Sequence, residues 1–173
     1  MKNINYKIQK ICLTAVFASL ITVCIFSLKL PIASMQGYIH PGDFIIYLST
    51  VFCGPYSLIC SALGGALADI ISGFPVWALP TAIIKALNCV PFLLINKKSD
   101  KCKNKILNRY SVGALIVSSF ITVFGYMFFE IFLYSFPTAL ADIPGNTIQA
   151  LASAALYIVA GAAFKNRNFK THM

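Results

Sequence analysis

In one apolar run, Thr122, Tyr126, Glu130 and Tyr134 recur every four residues and so share one face of a helix. Thr81, Lys85 and Asn88 follow at i, i+4 and i+7 in another run, and Asn146, Gln149, Ser153 and Tyr157 form a third stripe. Polar side chains embedded in apolar runs are costly to bury, and they face a bundle interior or a cavity. Hydroxyl, amide, carboxylate and ammonium groups set among aromatic rings can orient a small polar solute between apolar walls. The candidate contacts are Tyr38, Trp77, Lys85, Tyr126, Glu130, Asn146 and Gln149, with Lys85 as the floor. The plainer reading is that the stripes hydrogen-bond helices together, and Asn88 and Ser153 are assigned that role. Trp77 suits an interface anchor as well as a stacking platform.

The elements that carry these stripes follow from composition. Of 173 residues, 58% are hydrophobic and 11% charged, whereas a water-facing domain needs roughly a quarter charged. At about 20 residues per crossing, the length fits about six helices in a single membrane domain, 1–173, and no cleavable signal peptide is evident. The predicted helices are 8–28, 41–53, 55–72, 76–95, 110–136 and 144–164, parted by Gly54-Pro55, Gly73-Phe74-Pro75 and Pro137. The second is short, rising only about 18 Å. Parity requires it to cross. Twelve of the fourteen basic residues fall in three clusters, 2–10, 97–109 and 165–170, and loops rich in Lys and Arg stay in the cytoplasm. Four crossings and then two keep all three clusters inside. The expectation is therefore an all-α membrane protein, a bundle of six transmembrane helices with both termini cytoplasmic, multi-pass in the cell membrane. The net charge of +9 is a topology signal that implies contact with anionic lipid and no nucleic-acid partner.

In that topology Glu130 lies about 9 Å from the outer end of its helix, Asn146 and Gln149 are shallower, and the stripes converge in the outer half. Asp69 and Lys85, opposite charges on neighbouring helices, are expected to form a structural ion pair, because either alone is costly. Asp43 opens the second helix, where its charge suits the helix dipole. His40 is read as an interfacial loop residue, and no metal site is expected: the other histidine, His172, falls on the opposite side. The six cysteines show no Cys-x-x-Cys spacing and read as small apolar fillers. Thr14, Ala15, Ala18, Ser19 and Thr22 on the first helix form overlapping small-x-x-x-small pairs. These suit internal packing or docking of a partner helix.

Gly37 to Gly42 has the glycine spacing of a phosphate loop, but Asp43 stands where lysine is required. Neither His-Glu-x-x-His nor Gly-x-Ser-x-Gly occurs, so an enzyme is not expected. The ordered set Gly42-Asp43, Gly54-Pro55, Gly64-Gly65-x-x-Ala68-Asp69, Gly73, Pro80-Thr81 and Ile84-Lys85 resembles the substrate-binding S components of energy-coupling factor (ECF) transporters, closest to the riboflavin-type branch. The resemblance implies a vitamin-capturing subunit with no cofactor of its own. It would work with a transmembrane coupling protein and two cytoplasmic ATPases that hydrolyse ATP. The family's Ala-x-x-x-Ala docking motif falls on Ala15 and Ser19, a conservative departure. The alternative is a self-sufficient ion-coupled secondary transporter using Glu130 and Lys85. A purely structural subunit, with no pocket, is a third reading.

Overall fold

The computed structural model describes the backbone of residues 2–31, 37–99 and 106–164, and side chains over 7–31, 37–95 and 106–164. The basic clusters at 97–105 and 165–170, and Cys102, lie outside the described side chains. The chain runs through α1 (Lys2–Ser27), β1 (Leu30–Pro31), β2 (Tyr38–Ile39), α2 (Asp43–Cys53), α3 (Ser57–Ser72), α4 (Ala78–Ser99), α5 (Arg109–Leu133) and α6 (Phe136–Ala163). Turns of 3-10 helix at Gly54–Tyr56 and Pro75–Trp77 join α2 to α3 and α3 to α4.

Its surface is inverted relative to a soluble protein. Val23, Leu63, Leu79, Phe132 and Val159 are exposed, while Asp43, Lys85, Asn88, Ser118 and Thr122 are wholly buried. Only an apolar solvent makes that distribution favourable. Among the described residues, five apolar stretches are long enough to cross a bilayer, and one of them, Asp43–Ser72, contains both α2 and α3. The chain is an all-α membrane protein. By itself α2, with 11 residues, rises about 16 Å and is shorter than a bilayer core of about 30 Å.

Contacts fix the direction of each helix. Lys10 donates to the carbonyl of Phe52 (3.2 Å) at one end of the bundle, and Gly42 packs on Ile25 towards the other, so α2 runs antiparallel to α1. Gly54 then takes φ 58 and ψ −134, a conformation open to glycine, and the chain reverses. Ser57 at the start of α3 lies beside Cys89, Gly65 beside Thr81 and Lys85, so α3 and α4 are antiparallel. The α4–α5 pair is antiparallel too: Asn88 donates to Thr122 (2.9 Å), Ser118 to the carbonyl of Asn88 (2.9 Å), and Thr81 lies 3.3 Å from Tyr126. Asn88 thus bonds helices together, as its position suggested. Asn146 reaches Glu130 near one end of α6, and Tyr157 donates to the carbonyl of Ile106 (2.7 Å) towards the other.

Close approach of α1 and α3 depends on Gly64: a Cβ there would lie 2.8 Å from the Ala18 carbonyl oxygen. Thr22 uses that proximity to donate to the Gly64 carbonyl (3.0 Å). The small residues of α3, and Ala18 and Thr22 of α1, therefore serve internal packing.

The last helix departs from the sequence reading, beginning at Phe136 rather than 144. Ser135 caps it, accepting from the Thr138 amide (3.4 Å), and Pro137 occupies the first turn, where its missing N–H is harmless. Pro144 lies inside α6. Proline is tolerated in membrane helices where side chains or water satisfy the freed carbonyl.

Candidate functional site

At the end of the bundle opposite Lys10 and Phe52, the first loop folds back over the helices. Leu30 pairs with Ile39 and Pro31 with Tyr38 in a short antiparallel ladder, which delivers Tyr38 and His40 inward. They line one site together with Asp69 (α3), Trp77 (the 3-10 turn), Thr81 (α4), Tyr126 and Glu130 (α5), and Asp142, Asn146 and Gln149 (α6). Of the residues marked from sequence, Tyr38, Trp77, Tyr126, Glu130, Asn146 and Gln149 come together here. Trp77 is buried, its ring centroid 5.7 Å from that of Tyr126 and 6.0 Å from that of Tyr134. This burial fits a wall of the site better than an anchor at the bilayer surface.

Lys85 is placed differently. Its ammonium is fully buried beneath the site and pairs with Asp43 at 2.7 Å, with the Tyr126 ring centroid 5.1 Å away. The expected Asp69–Lys85 pair is thus replaced by Asp43–Lys85, and the reason is helix register. On α3 it is Gly65, one turn before Asp69, that lies against Lys85: a Cβ on Gly65 would sit 2.9 Å from Lys85 Cγ. The bare glycine leaves the lysine a passage towards α2, where Asp43 opens the helix. Asp69 instead accepts from the Tyr38 hydroxyl (2.6 Å).

Gln149 links pair and site, accepting from the His40 amide (3.2 Å) and donating to Asp43 Oδ2 at a long 3.5 Å. Burial and the nearby Lys85 charge push the His40 pKa down to about 3, against a smaller opposing effect of Asp43, so the imidazole is neutral at physiological pH. Its Nδ1 accepts from the Gly42 amide (3.2 Å), leaving the proton on Nε2.

The sequence reading passed over Asp142 and treated His40 as a loop residue. Asp142, Asn146 and Gln149 are spaced i, i+4 and i+7, but with the last helix predicted to begin at 144, Asp142 fell outside it. A cavity of about 40 Å³ lies between the lining side chains, more than a single water needs on the same measure. A larger groove of about 580 Å³ between α4 and α5 is lined mainly by apolar side chains such as Leu87, Val90, Leu94 and Val117. It lacks the converging polar groups that orient a solute.

On the outer face of α1, Ala15 and Ser19 are exposed. The Ser19 hydroxyl donates to the Ala15 carbonyl (3.0 Å), so this small-residue face presents no unsatisfied donor to lipid or to another helix.

Residues 5–166 match the family described as the ECF-type riboflavin transporter, S component. The chain belongs to that family. It is an integral membrane protein, a substrate-capture subunit of the ECF type and a transport component rather than an enzyme. A Pyrococcus woesei protein described as "Uncharacterized protein in gap 3'region" is 32% identical to this S component over 133 residues, covering 76% of this chain and 85% of that one.

Proposed function

We propose that this S component crosses the membrane six times with both termini in the cytoplasm, and that it captures a water-soluble vitamin or related small heterocycle from outside. The observation that carries this reading is the convergence of aromatic and polar side chains from the first loop, the 3-10 turn and α3 to α6 on one site. That site lies at the end of the bundle remote from Lys10, Arg109 and the C-terminal end of α6. The antiparallel courses of α1, α2 and α3 support a separate crossing for α2, and the Lys- and Arg-rich segments support a cytoplasmic placement of the other end.

Energy comes from outside the chain. A transmembrane coupling protein docks along α1 at Ala15 and Ser19, and two cytoplasmic ATPases drive release of the ligand inward. The substrate contacts are Tyr38, Trp77, Tyr126, Glu130, Asn146 and Gln149, joined by Asp142 and His40; Lys85 acts from beneath by holding Asp43. In proteoliposomes, the chain with a coupling protein and ATPases accumulates ligand when ATP is supplied inside the compartment holding the ATPases. The chain alone does not, with or without a proton or sodium gradient. Gradient-driven uptake by the chain alone would overturn this reading in favour of a self-sufficient carrier.

A further inference from the structure

Three carboxylates, Asp69, Glu130 and Asp142, reach the site from three different helices, and each residue is at most 5% exposed. Asp69 is engaged by the Tyr38 hydroxyl. Asn146 donates to Glu130 Oε1 at 3.3 Å, but Glu130 Oε2 and Asp142 Oδ1 are buried without a hydrogen-bond donor among the described residues. Among the described residues no lysine or arginine lines the site, and the Lys85 ammonium lies against Asp43. Trp77, Tyr126 and Tyr38 supply aromatic faces around the same space.

These features discriminate among ligands by charge. An anion would meet carboxylates with no counter-charge. A neutral ring could stack on Trp77 and donate N–H or O–H groups to the carboxylates, yet it would leave their buried charge uncompensated. A cation meets both demands, because aromatic faces attract it and charge-assisted hydrogen bonds to carboxylates are the stronger kind. We infer that the ligand is an aromatic nitrogen heterocycle carrying a positive charge, its ring against Trp77 and Tyr126 and its cationic edge towards Glu130 and Asp142. This rests on the capture-subunit reading above and adds the charge class of the substrate.

The test is a binding panel on the purified full chain in lipid nanodiscs, read by thermal stabilisation and equilibrium titration. One set keeps the ring and varies the charge: 1-methylnicotinamide (positive), nicotinamide (neutral) and nicotinate (negative). A second uses vitamins: thiamine (positive), riboflavin (neutral) and biotin (negative). The expected result is stabilisation by one or both cations, with roughly 10–150-fold weaker binding of the others, the ratio that one charge-assisted bond provides. Tighter binding of a neutral or anionic member overturns the charge inference and leaves the capture role standing. Stabilisation by no member of the panel counts against both. Glu130→Gln, which keeps the shape and removes the charge, is expected to weaken cation binding by a similar factor while its ligand-free melting temperature stays near wild type. Undiminished cation affinity in that variant also overturns the assignment, and the wild-type panel stands whether or not the variant folds.

Discussion

Lys85→Met lowers the stability of the purified protein by about 3–5 kcal/mol, read as a large drop in melting temperature in detergent or nanodiscs. Methionine matches the length of the lysine stem, so little packing volume is lost; what disappears is the ammonium 2.7 Å from Asp43. Asp43 is fully buried, and its remaining side-chain hydrogen bond among the described residues is the long one from Gln149, too weak to replace a counter-ion. The double variant Asp43→Asn/Lys85→Met removes both charges and is expected to recover most of the loss, because replacing a whole buried pair is far milder than breaking it. Asp69→Asn tests the register directly. If Asp69 were the partner of Lys85, this change would destabilise as strongly as Lys85→Met; the Asp43 pairing predicts a smaller loss, confined to the Tyr38 hydrogen bond.

Ser19→Leu is expected to abolish assembly with a coupling protein while leaving ligand affinity within about twofold of wild type. Ser19 lies on the exposed face of α1 one turn beyond Ala15, and its hydroxyl is already satisfied inside the helix. The substitution therefore perturbs neither the α1–α3 crossing at Gly64 nor the site at the far end of the bundle. It does add a branched side chain where two helices need small residues to pack closely. Co-purification of the tagged chain with the coupling protein and ATPases reads the first effect, and ligand titration reads the second. Normal assembly would remove Ala15 and Ser19 from the docking face. Loss of both assembly and binding would show that the residue acts through the fold.

Much of this was legible in the sequence because membrane proteins write their polar interior against an apolar background. Glu130, or Asn146 and Gln149, stand out since no other charged or amide side chain lies in those runs. The ion pair was not legible in the same way. Which carboxylate meets Lys85 depends on the vertical register of α2, α3 and α4, and Gly65 routes the lysine across α3 in a manner no single-helix pattern encodes. Asp142 was missed for a local reason: the last helix was predicted to begin at 144, whereas α6 begins at Phe136 and carries Pro144 within it. His40 gave no periodic signal at all. It reaches the site through the β1–β2 ladder, a contact between two-residue segments too short to show alternation.

Trp77 is the only tryptophan in the chain, and it walls the site, so its fluorescence reports on this one place. The central claim, that a small heterocycle is captured among Tyr38, Trp77, Tyr126 and Glu130, is tested by titrating ligand into the purified protein while following that emission. Saturable quenching or a spectral shift at one ligand per chain, lost in Glu130→Gln at the same ligand concentration, is the predicted result. Tight one-to-one binding, shown independently by thermal stabilisation, with Trp77 emission unchanged throughout would place the ligand elsewhere and contradict the account.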